Sequence, residues 1–337
     1  MTRAATVLLS VGVLLFIGVL ASQGLPAIMA TLSLAGWGLL LVALFHLLPL
    51  ALDAVAIRVL FKRGGGPAGT LRDALLARWA GESANSLMPA GQIGGPVLMA
   101  RHLAQRGMPM QDAAAAITIS TTMQTFGQIA FAVFGVILLG AQASHISEHA
   151  LRTSSLIASG VLAVQVGGFY LMQRRGLFSK LTRAATRFSG KRDWSKLVSQ
   201  AESIDLAVQA SYRRGGPVAA SFLLSLIGWV VGTGEVFLIL RLLGHPATWL
   251  DSLLLESLGQ AIRGAAFAIP GALGVQEGGY LLLAPLAGLP PDMALALSLA
   301  KRAREILLGL PGLLYLHWSE RAGAAAAARP APPTGAL

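Results

Sequence analysis

The sequence predicts an all-α, polytopic membrane protein, with about six transmembrane helices plus two re-entrant hairpins arranged as an inverted repeat. Three observations carry this reading. Of 337 residues, 55% are hydrophobic and only 12% charged, with a mean hydropathy of +0.67. Several apolar runs reach the roughly 20 residues a helix needs to cross a hydrocarbon core about 30 Å thick. Two other apolar stretches, Arg78–Arg101 and Glu256–Tyr280, are interrupted by Pro and Gly into pieces too short to cross. The length suits one integral-membrane domain over residues 1–320, with halves at about 1–140 and 151–320. Residues 322–337 form a low-complexity Ala/Pro tail that reads as disordered.

Composition also excludes chemistry. The chain has no cysteine, so disulfides, thiolate metal sites and cysteine nucleophiles are ruled out. A net charge of +11 suits either a nucleic-acid partner or topology-setting loop charge, and in a chain this apolar the second reading is favoured. The partners expected are membrane lipids rather than nucleic acid, and no cofactor is expected.

Ala4–Ser22 is too long for a signal-peptide core of about 7–15 residues and reads as an uncleaved first span. Leu34–Ile57 is the second span. It ends at Arg58, Lys62 and Arg63, before a Gly64-Gly65-Gly66-Pro67 turn. Thr70 with Asp73 three residues on marks a helix start. The Arg78–Arg101 stretch, split at Pro89, reads as a hairpin with its mouth on the cytoplasmic side, flanked by Arg78, Arg101 and Arg106. Met110–Leu139 is the third span; its Thr118, Ser120, Thr121, Thr122 and Thr125 either bond their own helix carbonyls or line a polar face. Leu151–Met172 is the fourth span.

Gln173–Pro217 is the most basic segment. Leu197, Ala201, Ile204 and Val208 fall on one helix face there, which predicts an amphipathic helix on the cytoplasmic surface. Its charge either sets topology or recognises anionic headgroups. Val218–Leu243 is the fifth span, with Gly228 and Gly232 spaced as at a close helix contact. Met293–Trp318 is the sixth. With both termini inside, 20 of the 26 Lys and Arg lie on the cytoplasmic side, an asymmetry that sets the orientation of a multi-pass membrane protein. Each half then reads span, span, hairpin, span, and three crossings per half turn the second upside down. Paired Gly/Pro-broken segments in such halves point to a transport site near the midplane.

Intramembrane charge marks the candidate site. One Lys or Arg at a helix centre costs roughly 2.5–3.5 kcal/mol on insertion scales, so Arg263, Glu277, Lys301, Arg302, Arg304 and Glu305 require partners. Glu305 follows Arg302 by three residues and Lys301 by four, so both can pair with it on one face. The cluster is either an ion-pair network that locks the last span to the hairpin or a polar cavity for a lipid headgroup. Glu82, Asn85, Gln92 and Arg101 of the first hairpin are expected to supply the other wall, and Glu277 is expected to face Arg302. His145-Ile146-Ser147-Glu148-His149 matches an inverted zinc-protease motif, but it lies in a short loop without a third ligand, so chance resemblance is favoured. His46, His102, His245 and His317 show no ligand spacing.

The segments Glu82–Arg101, Ile269–Gly279 and Ser298–Gly312 resemble the transmembrane region of the lysylphosphatidylglycerol synthase/flippase-like superfamily. Within it they are most similar to the hopanoid-biosynthesis-associated HpnL-type proteins. The resemblance covers Arg3 to Glu320. It implies an inner-membrane protein with two re-entrant hairpins that translocates lipid, with Asn85, Arg101, Glu277, Arg302 and Glu305 as its polar residues. Where the family pattern has an acidic residue after Gly-Gly, this chain has Pro96, so any contact that such a group makes is missing. The soluble transferase domain of larger relatives has no counterpart in these 337 residues. The resulting expectation is a non-enzymatic lipid flippase, possible substrates including hopanoids and related lipids. A lipid-modifying transferase and a scaffold for lipid-synthesis enzymes are the alternatives.

Overall fold

A computed structural model of the chain describes residues 25–61, 69–88, 91–142, scattered positions between 160 and 183, 195–266 and 269–327. Ala4–Ser22, most of Leu151–Met172 and the His145–His149 motif lie outside the described residues. Those that are described form helices and turns, with no strand among them. In order they are α1 (Leu25–Ala35), α2 (Gly38–Arg58), α3 (Leu71–Leu87), α4 (Gly91–Gln105), α5 (Met110–Gln142), α6 (Ser195–Tyr212), α7 (Gly215–Leu242), α8 (Trp249–Ala265), α9 (Val275–Leu283) and α10 (Pro291–Ala327). Short 3₁₀ turns flank α9 at Pro270–Ala272 and Ala284–Ala287.

Three of these helices, α2, α5 and α7, are long and apolar enough to cross a membrane. α10 has the length but carries Lys301, Arg302, Arg304 and Glu305 in its middle, and it continues to Ala327, inside the stretch that composition assigns to a tail. The chain is thus an all-α polytopic membrane protein.

The two broken stretches are helical hairpins, α3–α4 and α8–α9. Their first arms begin alike. Thr70 Oγ1 accepts from the Asp73 amide at 3.2 Å while Asp73 Oδ2 accepts from the Thr70 amide at 3.1 Å; Thr248 and Asp251 make the same pair of bonds. Each such box satisfies two amides that a helix start leaves unpaired. Both first arms are 17 residues long, so the first hairpin starts at Leu71, a helical turn or two before the Arg78 boundary that the sequence suggests.

Two apolar cores organise the packing. One gathers Ala54 and Ile57 of α2, Ala74 and Ala77 of α3, Met99 and Leu103 of α4, and Ala113 to Met123 of α5. The other gathers Val42 of α2, Val136 and Leu139 of α5, Val236 to Leu240 of α7, Leu254 to Leu258 of α8, Tyr280 of α9 and Ala294 to Ala300 of α10. α2 and α5 run through both. The interval where each passes from one core to the other holds His46 and Asp53 on α2, and Gln124 and Gln128 on α5. Polar side chains therefore collect at the junction between the cores.

Small residues bring the helices together, though not always where spacing suggests. Nothing lies within 4 Å of a Cβ built on Gly232, and one on Gly228 meets Asp53 only at ordinary contact distance. The tight contacts are elsewhere. A Cβ on Gly95 would stand 2.5 Å from the Gly81 carbonyl, where the two arms of the first hairpin cross, and the Gly95 amide donates to Asn85 Oδ1 at 2.9 Å. Gly312 of α10 leaves room for Ser83 and Trp79 of α3. Two threonines of α5 bond their own helix, Thr122 donating to the Thr118 carbonyl at 2.8 Å and Thr125 to the Thr121 carbonyl at 2.9 Å, while Ser120 and Thr121 line a small polar cavity. The apolar stripe of α6 does not face outward. Ala207 and Val208 pack with Ala115 of α5, Ile204 and Phe178, so protein covers the face that periodicity assigns to a membrane surface.

Replacing Gly95 by Ala forces backbone against backbone, which no rotamer relieves. G95A is expected to cost on the order of 1–3 kcal/mol, the usual range for overpacking, read as a lower Tm in detergent. G232A, with open space around it, is expected to leave Tm unchanged or raise it, since Ala gains up to about 1 kcal/mol over Gly in a helix.

Candidate functional site

The second hairpin turns between Pro270 and Gly274, where Gly271 (φ +61°), Ala272 (φ +49°) and Gly274 (φ +77°) all occupy the left-handed region. Glycine adopts it freely, whereas for Ala272 it costs about 1–2 kcal/mol. The turn lets α9 start with Glu277 in its first turn: Glu277 Oε2 accepts from the Gly274 amide at 2.7 Å. An acidic residue at a helix N-terminus also meets the positive end of the helix dipole.

From Glu277 a closed ring of polar contacts runs through the hairpin and α10. Glu277 Oε1 accepts from Arg302 Nε at 3.1 Å and from Ser298 Oγ at 3.1 Å. Arg302 Nη1 donates to Glu305 Oε2 at 3.0 Å and to the Gly271 carbonyl at 2.7 Å. Arg263 Nη2 donates to Glu305 Oε1 at 3.0 Å and its Nη1 to Gln276 Oε1 at 3.0 Å. Gln276 Nε2 donates to Ser298 Oγ at 2.9 Å, which closes the ring. Two guanidiniums and two carboxylates balance. Arg302 Nη2 is buried and has no partner among the described residues. The Gly271 turn sits against the first hairpin, since a Cβ there would lie 3.5 Å from the Ser86 carbonyl.

Lys301 does not pair with Glu305 as helical spacing allows. It points to α8, where its Nζ donates to Glu256 Oε2 at 2.6 Å, with both side chains almost wholly buried. Tyr280 Oη and Gln260 Nε2 also donate to Glu256, at 3.2 and 2.8 Å. Gln128 of α5 joins through the Gln260 carbonyl at 3.1 Å.

A further cluster escaped the sequence reading. Arg304 Nε donates to Glu235 Oε1 of α7 at 3.1 Å, and Glu235 Oε2 lies 2.8 Å from His46 Nδ1. His46 Nε2 lies 2.8 Å from Glu82 Oε1, and Glu82 stands 3.5 Å from Arg78 Nη2. Arg78 Nη2 bonds Asp53 Oδ2 at 2.8 Å, which also accepts from Gln124 Nε2 at 2.6 Å. Arg78 is therefore a buried partner in this cluster rather than a flank of the hairpin mouth. Asp53 and Glu235 were visible as acids inside apolar spans, the same signal that singled out Glu277.

The first-hairpin residues part company. Glu82 reaches the buried charges, and Asn85 is spent on holding α4. Arg101 is exposed and bonds Glu320 at 2.6 Å, outside the ion-pair clusters. The side chain of Gln92 lies outside the described residues. Among the described residues no group of three His, Asp or Glu has an arrangement suited to a metal ion.

Breaking a buried pair strands a charge and costs roughly 3–5 kcal/mol, whereas removing both partners costs far less. Lys301→Met alone is thus expected to lower stability by about that amount, and Lys301→Met with Glu256→Gln to recover most of it. Thermal melts of the double-mutant cycle in nanodiscs check this.

Searches of curated proteins and of solved structures find no match to this chain. The model of the family described as the lysylphosphatidylglycerol synthase TM region matches residues 3–312, which takes in both hairpins, the Arg302 ring and most of α10. The chain belongs to the lysylphosphatidylglycerol synthase transmembrane-region family.

Proposed function

We propose that this protein moves a polar-headed lipid, with hopanoid-related lipids among the candidates, between the leaflets of the bacterial inner membrane. One observation carries the reading: a self-neutralising ring of buried charge is built on a broken hairpin whose turn meets the other hairpin, and it keeps one guanidinium nitrogen, Arg302 Nη2, unspent. A guanidinium fork suits a phosphate or carboxylate headgroup. Irregular backbone and charge at membrane depth are tolerated where protein or a water-filled cavity covers them. The shared order of long helix, capped hairpin and long helix in α2–α5 and α7–α10 supports reading the halves as an inverted repeat with two re-entrant hairpins. Rocking of one half against the other would open the ring to each leaflet in turn. Arg263, Glu277, Arg302 and Glu305 would meet the headgroup. Lys301, bound to Glu256, would hold α10 against α8.

The family's description names a synthase, which favours lipid modification as the second reading. Reconstituted liposomes with labelled lipids separate the readings. Leaflet exchange without chemical change supports transport, a new lipid product supports a transferase, and neither leaves a scaffold for lipid-synthesis enzymes. Arg302→Gln and Glu277→Gln are expected to abolish exchange while membrane insertion survives, and Arg101→Gln to leave it intact. Wild-type rates from well-inserted R302Q and E277Q proteins would end the reading.

A further inference from the structure

The buried charges do not balance without a proton. The Arg302 ring is neutral, with Arg263 and Arg302 against Glu277 and Glu305. The Lys301–Glu256 pair is also neutral. The third cluster sets three carboxylates, Asp53, Glu82 and Glu235, against two guanidiniums, Arg78 and Arg304. A net buried charge is costly. The sixth member is His46, whose two ring nitrogens each lie 2.8 Å from a carboxylate oxygen, Nδ1 on Glu235 and Nε2 on Glu82. A hydrogen bond between a ring nitrogen and a carboxylate needs a proton between them. Neutral imidazole carries one proton, so the two contacts together hold one more. With that proton the cluster is neutral.

The geometry also provides for the proton's departure. Arg304 Nη1 stands 3.3 Å from His46 Nε2 and donates to it once Nε2 is bare. Glu82, released from His46, keeps Arg78 at 3.5 Å and Arg304 at 3.6 Å. Nothing but an N–H bond forms or breaks, and the proton leaves to water. Every element packed on His46 contributes to this balance: α3 through Glu82 and Arg78, α7 through Glu235, and α10 through Arg304, with Lys301 three residues earlier. Asp53 lies on the same helix as His46, and α5 presents the uncharged amide of Gln124. A cavity lined by Asp53, Arg78, Ser120, Thr121 and Gln124 adjoins the cluster. It has room for about one water molecule, and Arg78 Nε, beside it, has no partner among the described residues.

We propose that His46 is a proton-binding site that couples lipid movement to a proton gradient, its proton linking Glu82 of the first hairpin to α2 and, through Glu235, to α7. This rests on the transport reading above. The bound proton lends Glu82 a cation on α2, and its loss frees α3 from that contact, which suits a hairpin that moves as the site changes leaflet.

The test uses the full chain in phosphatidylcholine vesicles that carry fluorescent phosphatidylglycerol and an entrapped pH dye. Exchange is compared with and without an imposed pH gradient. The wild type is expected to accelerate under the gradient and to pass protons as lipid moves. His46→Gln and His46→Arg, which cannot take up and release this proton, are expected to lose the acceleration and the proton flux. Ring-labelled histidine NMR, with the His46→Gln spectrum as the assignment, is expected to show His46 passing from imidazolium to neutral imidazole as pH rises. Lipid exchange that ignores the gradient in the wild type, or acceleration that persists in both variants, would overturn the coupling and leave transport standing. A wild type that moves no lipid at any pH would remove the transport reading and the coupling role with it.

Discussion

Charge taken out of water has to find opposite charge inside this protein, and that requirement governs how the helices meet. α10 supplies Lys301, Arg302, Arg304 and Glu305 within five consecutive residues, a sequence that no single partner helix can satisfy. Successive positions point about 100° apart on a helix, so the cations reach different neighbours. Lys301 reaches α8, Arg302 the turn before α9 and Glu277 beyond it, and Arg304 reaches α7. α10 is thereby keyed in rotation and in height by three separate ion pairs. Each pair has little value as net stability, because desolvation offsets much of the attraction, but a wrong register strands several charges at once.

This keying depends on close packing. Ion pairs of about 3 Å between helices require axes near enough for side chains to meet, and the small residues at the hairpin crossings provide this. Gly81 and Gly95 let α3 and α4 cross backbone to backbone, while Gly309 and Gly312 let α10 lie against Leu87 and Ser83 of α3. In a membrane, where no hydrophobic effect drives helices together, such contacts and interhelical polar bonds carry the association. The charged ring and the packing are thus one construction: loosening the glycine contacts would disturb the ion pairs as well as the fold.

The position of the charges follows from the two apolar cores. α2 and α5 each run through both, and their polar residues stand in the gap between. The broken second hairpin adds backbone groups to the buried charges, the Gly271 carbonyl on Arg302 and the Gly274 amide on Glu277. A gap lined by fixed dipoles and paired charges between two packed apolar masses lets buried polar groups find partners on either side. A protonatable histidine bridging four helices in that gap ties the charge state to the position of the first hairpin.

Much of this was legible in the sequence, because hydropathy, Pro/Gly breaks and capping are local properties. The apolar runs of α2, α5 and α7 and the Thr70–Asp73 start read directly. So did the Glu277–Arg302 contact, since a hairpin that meets the last span has few other ways to bury a glutamate. The amphipathic stripe of α6 was legible as a stripe, but not as one covered by α5, because periodicity names a face and not its occupant. Glu82–His46 and Glu235–His46, separated by 36 and 189 residues, were beyond it. Spacing along one helix allowed Lys301 to pair with Glu305, yet Glu256 on α8 took it. Composition and periodicity determine which segments are apolar helices and which residues need a partner. Only the tertiary arrangement decides the partner, because that depends on which helix faces adjoin and at what height, and no local pattern encodes either.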